Sequence, residues 1–451
     1  MKGHVLVRGG RIIDPSQGLD AVGDVLISKG LIATVKVGGG LTAPEGTPEI
    51  DATGLVVTPG FVDLHCHLRE PGFEEKETIA TGTRAAARGG FTTVCCMPNT
   101  NPAIDTQATI EFILRTARVE GSARVLPVAA VTMGRAGHEL VDMAGLAQAG
   151  AVAFSDDGDP VADASLMHSA LSKGKALGLP ISDHCEDPAL AGGVMHEGSI
   201  AARLGLRGVP TAAEDNMVDR DIKLAEVTGG HVHIAHLSTV GSLDLVRQAK
   251  ARGVSVTTEV TPHHLTLTDE RVIRPAARDS RDAGPAYDTN TRVNPPLRSI
   301  EHVEALREGL RDGIIDAIAT DHAPHTTADK LCAYEQAAPG ISGFETALGS
   351  ILRLVHEGVM ELSAIVAALT WRPAAIADRS GLGLGTLREG APGDVTLFDP
   401  DMEWTVDASA FASKGKNTPL EGEQLKGRVV TTLFGGETVH WDPRVGAAHG
   451  R

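Results

Sequence analysis

The middle of the chain, roughly residues 56–375, alternates short apolar runs with Ala-rich amphipathic stretches. The apolar runs are "TVCCMPN", "RVLPVAAV", "AVAFSDDG", "LPISDHCED", "HVHIAHLST", "VSVTTEVTPHH" and "DAIATDHAPH". Between them lie segments such as "TIATGTRAAARGG" and "LMHSALSKGKALG". This alternation implies parallel strands joined by helical crossovers, because a parallel pair cannot be connected by a tight turn. About eight such units fit, which favours a (β/α)8 TIM-type barrel over an open sheet. The polar residues sit at the C-terminal ends of the runs, where barrel enzymes hold their active sites.

The two chain ends read differently. "HVLVRGGRIIDP", "GDVLISKGLIATV" and "EIDATGLVVTPG" near the start alternate apolar with polar and break at Gly, Pro and Asp. From about Gly383 the same pattern returns in "GTLREGAPGDVTLFDP", "EWTVD" and "GRVVTTLFGGETVHW". The expected organisation is a barrel over 56–378 and one small β-sandwich built from 1–55 and 379–451. A length of 451 residues accommodates both, since a barrel takes about 250. The stretch 271–292, "RVIRPAARDSRDAGPAYDTNTR", is polar with Pro and Gly. It reads as a long loop over the site.

Lys and Arg total 41 against 58 Asp and Glu, a formal net charge of −17. A nucleic-acid binder needs a basic stripe, so this balance argues against one, and against docking on an anionic membrane. No apolar run approaches the length of a membrane span, and the N-terminal stretch lacks the apolar core of a signal peptide. The five cysteines, Cys66, Cys95, Cys96, Cys185 and Cys332, have no framework spacing and read as reduced thiols in the cytoplasm. Cys66 alternates with two histidines and should face away from them. Cys95 and Cys96 read as small apolar strand residues.

The first candidate ligands stand in "FVDLHCHLRE". His65 and His67 are two apart in a strand-like run, so both imidazoles can share a face. Asp157 in "FSDDG" shares parity with Ala151 and Ala153. His184 ends "LPISDH". His236 has the parity of Val232 and Ile234, which read as barrel interior, whereas His231 and His233 read as surface or helix-facing. Asp321 shares parity with Ala317 and Ala319. Taken singly, each is more often a structural residue than a ligand. Together, six imidazoles and carboxylates fall at the strand ends of one array, a donor set that suits Zn²⁺ or a related divalent ion. Six exceed the need of one catalytic zinc, which keeps a position for water, so one or two ions per chain are expected, a pair sharing a carboxylate.

"PGFVDLHCHLREPG", "GFTTVCCMPNTNP", "HIAHLST", "TPHHL", "VNPPLR" and "TDHAPHT" together resemble the bacterial class I dihydroorotases of the amidohydrolase superfamily. The resemblance spans nearly the whole chain. It implies reversible cyclisation of N-carbamoyl-L-aspartate to L-dihydroorotate and water, a step of pyrimidine synthesis. It implies that His65, His67 and Asp321 bind one metal, His184 and His236 a second, and that Asp157 bridges them. Arg69, Asn99, Asn294 and His325 match substrate-contacting positions, with His67 beside them. Pro339 and Gly340 fall where the family's backbone meets the ring. Asp321 is implied as general acid/base, so cyclisation should slow as pH rises across the neutral range; a rate that rose instead would contradict this. Many superfamily members bridge their metals with a carbamylated lysine, but here no lysine occurs between Lys76 and Lys173, leaving Asp157 as bridge or the second metal weakly held. A hydantoinase- or allantoinase-like amidase is the nearest alternative. A non-catalytic partner of aspartate transcarbamoylase is the other. The resemblance also implies a homodimer, or a complex with that transcarbamoylase.

Overall fold

The computed structural model describes residues 3–273 and 287–442. Eight parallel strands lie in chain order: Phe61–Cys66, Phe91–Cys96, Arg124–Ala129, Ala153–Phe154, Ile181–Asp183, Val232–Ile234, Val256–Val260 and Ala317–Ile318. Every neighbouring pair is parallel. The sheet closes where Cys66 bridges His322 and the His67 N–H donates to the His322 carbonyl at 2.8 Å. This is the (β/α)8 barrel that the alternation implies.

Several of the crossover helices start on Thr or Asp side chains that accept an otherwise unpaired backbone N–H. Thr78 caps Ile79–Arg88, Thr106 caps Gln107–Glu120, Asp163 caps Ala164–Leu177 and Thr239 caps Val240–Ala251. Alternate strand residues then separate two layers. Val232, Ile234, Val256 and Val260 pack outward with Val218, Ile222 and Leu243 of the helices. Leu64, Cys95, Met97, Val128, Ala317 and Ala319 fill the barrel, with Ile376 and Ala377 from helix Trp371–Ala377. Val62, early in its strand, meets Ala374 of that helix, which therefore covers the N-terminal mouth. The C-terminal mouth is left to polar residues.

Strands from both chain ends form one further sheet. Its order is Glu437–Trp441, Gln424–Phe434, Val395–Thr405, Val56–Pro59, His4–Asp14, Leu19–Ser28 and Leu31–Val37, with Glu49–Asp51 also on His4–Asp14. The expected sandwich is thus a single sheet curled over its own core of Val7, Ile12, Ile27, Val57, Leu397 and Val430. Its distant strands meet through Gly393, whose N–H donates to the Gly30 carbonyl and whose carbonyl accepts the Gly436 N–H, both at 2.8 Å. Val56–Pro59 lies at the seam between the chain's two ends. The chain therefore enters the barrel at Phe61 rather than at residue 56, because residues 56–59 still pair with the end strands.

Of the expected loop over 271–292, residues 274–286 lie outside the described residues. Its flanks come together, with Ile273 bridging Tyr287. No helix among the described residues is long and apolar enough to cross a membrane.

Candidate active site

The first barrel strand carries one extra residue between Asp63 and Cys66 relative to Val94 and Cys96 of its neighbour. Such a bulge re-aims side chains. Leu64 packs inside the barrel, Cys66 packs outward as its alternation predicts, and His65 and His67 reach the C-terminal mouth. His236 arrives by another route than the expected one. Val232 and Ile234 face the helices, and His233 faces the barrel interior, so the parity assigned from the sequence is inverted. The strand stops at Ile234, and a left-handed backbone at His236 (φ 31°) turns its ring inward. Asp321 (φ 44°) and Arg69 (φ 63°) share this conformation, which is uncommon for non-glycine residues and clusters at functional sites.

His65, His67, Asp157, His184, His236 and Asp321 all line one buried spot. Asp157 Oδ1 lies 3.2 Å from His65 Nε2 and 3.7 Å from both His184 Nδ1 and His236 Nε2. Its Oδ2 lies 3.6 Å from His67 Nε2. Asp321 Oδ1 lies 3.0 Å from His67 Nε2 and 3.7 Å from His65 Nε2. His184 Nδ1 and His236 Nε2 are 2.9 Å apart. Most of these separations are long for hydrogen bonds. They match two ligands of one tetrahedral ion, which at about 2.1 Å from the metal stand about 3.4 Å apart. His65 Nε2 and Asp157 Oδ1 are buried without a hydrogen-bond partner, a costly state for polar atoms that a cation relieves. Two overlapping groups, His65–Asp157–His236 and His65–His67–Asp321, each place their ligand atoms close enough to hold an ion.

The electrostatics agree. Burial raises the Asp157 carboxyl, but the charge of His65 and the close approach of the His184, His236 and His65 ring nitrogens hold it well below the usual carboxylate range. Burial likewise raises Asp321, and the bond with His67 and the nearby imidazoles bring it down. Burial lowers His184, yet Asp157 and Glu186 push it up to about 10. The carboxylates thus demand positive charge at this spot, which a divalent ion supplies as well as protonated imidazoles do.

The candidate ligands are held from behind. His65 Nδ1 lies 2.8 Å from Glu259 Oε1, which directs Nε2 to the site. Glu259 Oε2 meets His233 Nε2 at 3.2 Å, and His233 Nδ1 meets Thr257 Oγ1 at 2.9 Å. Burial raises the Glu259 carboxyl, but His233 and His65 bring it down to about 2. The sequence reading missed Glu259; a charged residue inside the apolar run "VSVTTEV" was the available signal. A third set, Asp183, Cys185 and Asp221, already encloses a cation, since Arg220 Nη2 is 2.6 Å from Asp221 Oδ1.

Residues 54–242 match a family model described as dihydro-orotase-like. Dihydroorotase from Citrifermentans bemidjiense is 51% identical over 438 residues, covering 97% of this chain and 99% of that one. Dihydroorotase from Pelotomaculum thermopropionicum is 51% identical over 440 residues, again covering 97% and 99%. The chain belongs to the dihydroorotase family. Among solved structures, L-hydantoinase from Arthrobacter aurescens superposes with a TM-score of 0.85 at 25% identity, covering 98% of this chain and 96% of that one. Dihydropyrimidinase from Brevibacillus agri gives 0.81 at 22% identity, covering 97% and 95%, a likeness of fold.

In this dihydroorotase-family chain a second group of residues lies beside the candidate ligands. Arg69 donates from Nε to the Pro324 carbonyl at 3.3 Å, and its Nη2 lies 3.3 Å from His325 Nε2. Among the described residues no carboxylate pairs with its guanidinium. Burial lowers it to about 10. Burial and the charge of Arg69 also take His325 down to about 3, so its imidazole is neutral. His325 Nε2 sits 2.9 Å from the Pro339 carbonyl. A Cβ on Gly340 (φ 142°) would stand 2.6 Å from Ala323 Cβ, so the fold requires glycine there. Asn99 Oδ1 meets His67 Nδ1 at 2.8 Å and its Nδ2 faces Asp157 Oδ2 at 3.5 Å, so it lies against two of the candidate ligands. Asn294 Nδ2 donates to Glu186 Oε2 at 2.9 Å and lies 3.1 Å from His184 Nε2.

Proposed function

We propose that the chain interconverts N-carbamoyl-L-aspartate and L-dihydroorotate at the C-terminal mouth of the barrel. One observation carries this reading: six convergent ligand-type side chains stand beside a guanidinium that has no carboxylate partner among the described residues. His65, His67 and Asp321 would hold one divalent ion, and His184 and His236 a second. Asp157, with one oxygen toward His65, His184 and His236 and the other toward His67, would bridge them. We take zinc as the ion, in one or two copies, because nitrogen and oxygen donors at these spacings suit it. The chemistry supplied at that position is Lewis acidity and a water that ionises near neutral pH.

The chain's own residues do the rest. Asp321 is held in its ionised form, so in hydrolysis it accepts the proton of the attacking water. It then passes that proton to the ring nitrogen as the carbon–nitrogen bond breaks and a carboxylate forms. Cyclisation runs these transfers backwards and releases water. Arg69 holds the ring's free carboxylate in a charge-assisted pair. His325, and Asn99 where it reaches past His67, add hydrogen bonds. Asn294 and the backbone at Pro339 and Gly340 face the ring's amide edges. Cytoplasmic residence belongs to the proposal and is supported by five unpaired cysteines. A homodimer and a complex with aspartate transcarbamoylase rest on the family resemblance.

The test is a metal-to-protein ratio measured alongside L-dihydroorotate hydrolysis. Bound divalent metal with turnover of dihydroorotate, and not of hydantoin or allantoin, is expected. A metal-loaded protein that leaves dihydroorotate intact would refute the reading.

A further inference from the structure

Beside Arg69, His325 and Gly340 lie on two loops, Ala323–His325 and Pro339–Ser342, and neither loop belongs to a barrel strand. What fixes these loops comes from far along the chain. Asn417 is buried, at 4% exposure. Its Oδ1 accepts the His325 N–H at 2.9 Å and the Ser342 hydroxyl at 2.8 Å. Its Nδ2 donates to the carbonyls of Ala323 and Gly340, both at 3.0 Å. Its own carbonyl accepts the Ser342 N–H at 2.8 Å. One amide therefore ties the loop carrying His325 to the loop carrying Gly340, with both ends of its side chain used. No other side chain here could supply two acceptor and two donor bonds from one planar group except glutamine, which is a methylene longer.

The neighbouring residues extend the contact. A Cβ on Gly415 would fall 2.5 Å from Pro324 Cβ and 2.8 Å from Pro324 Cα, so the segment lies directly against Pro324. The Pro324 carbonyl is the acceptor for Arg69 Nε. Ser413 Oγ and the Lys414 N–H both donate to Glu77, whose Oε2 lies 3.4 Å from His322 Nε2. Residues 413–417 thus run as a strap along the outside of the stretch that bears His322, Pro324 and His325. Among the described residues, these hydrogen bonds reach Glu77, Ala323, His325, Gly340 and Ser342 rather than any candidate metal ligand.

We infer that Asn417 is a positioning residue for the carboxylate end of the substrate, acting through His325, Pro324 and Gly340. The inference rests on the reading of Arg69 and His325 given under the proposed function. Releasing the two loops would let His325 and the Arg69 acceptor drift. Misplacement by about 1 Å can cost about a hundredfold in a binding-dependent rate.

Steady-state kinetics with L-dihydroorotate, metal content and thermal melting would be measured on the full chain and three variants. Asn417→Ala should raise KM by about tenfold or more while kcat moves by less than about threefold, with metal content unchanged. Asn417→Asp keeps the acceptors for His325 and Ser342 and loses the donors to Ala323 and Gly340, so its KM should fall between. Gly415→Ala would press on Pro324 and, at 2.8 Å, on Asn417 Oδ1 itself, and should also raise KM. An unchanged KM in Asn417→Ala, or a fall in metal content with KM preserved, overturns the inference. If Asn417→Ala fails to fold, Gly415→Ala and Asn417→Asp decide it on the same criterion. An unmodified chain that fails to hydrolyse dihydroorotate refutes the functional reading, whereas an active chain with unshifted variants refutes only the role of Asn417.

Discussion

The two halves of the site are built on different principles. The ligand half draws on strand ends and the residues just past them, and is braced from inside the barrel by Glu259, which joins His65 to His233. The half facing the expected substrate carboxylate lies on loops, and is braced from outside by residues of the C-terminal segment. A closed barrel holds the first half in place whatever happens at the rim. The second half can shift without disturbing the ligands. This division matches the way barrel folds keep a common chemistry and vary specificity through their loops.

If the halves are separable, substitutions should sort into two classes. The largest effect is expected for Asp157→Ala, which removes the carboxylate shared between His65, His184, His236 and His67. Activity should fall by well over about a hundredfold, beyond the range of supporting residues, and metal content should drop in parallel by elemental analysis. Retention of two ions and full activity would show that the bridging assignment is wrong. Glu259→Gln should weaken metal affinity by about 10- to 100-fold in a chelator competition, with KM for dihydroorotate unmoved. A shift in KM without any loss of metal would break the separation between halves.

On the other side of the divide, Arg69→Met should raise KM by roughly tenfold to a hundredfold, the worth of about 1.5–3 kcal/mol for a hydrogen bond to a charged group. Metal stoichiometry should stay at the wild-type value. The smallest effect concerns Lys330, a buried amine that donates to the carbonyls of Thr289 and Arg292, at 3.2 and 3.3 Å. Burial lowers its pKa from 10.5 to about 7. Between those values the unfolded chain holds a proton that the folded chain lacks, so this group makes stability rise with pH across that window. Denaturant melts should show wild type gaining on Lys330→Met between about pH 7.5 and 9.5. A constant difference across that range would count against the shift, and metal content should not respond at all.

The sequence made the ligand half legible and the rim only partly so. His65, His67, Asp157, His184 and Asp321 stand at or just past the ends of apolar runs, and parallel strands of a barrel bring such ends to one mouth. The inverted parity of His233 and His236 shows where pattern reading gives out. In the run "HVHIAH" both alternate sets contain histidine, so periodicity cannot tell inside from outside. The answer came from packing, with Val232 and Ile234 against the helices and His233 against Glu259. Asn99 was found from its motif, but its contact with His67 depends on two strands meeting. Asn417 gave no sequence signal, because its four partners lie on loops that only the folded chain brings within reach.

By itself the sequence determined the alternation of strand and helix, the identities of the six ligand-type residues and the absence of any lysine between Lys76 and Lys173. These are local properties, set by side-chain chemistry and by a repeat that admits few topologies. The tertiary structure decided which face each histidine turns to, that Glu259 stands behind His65 and that Asn417 holds the rim. Those outcomes depend on where a strand stops, on left-handed turns at Arg69, His236 and Asp321, and on contacts between residues hundreds of positions apart. Such contacts leave no periodic trace, because the energy that selects them is that of pairing buried polar groups once the chain has closed.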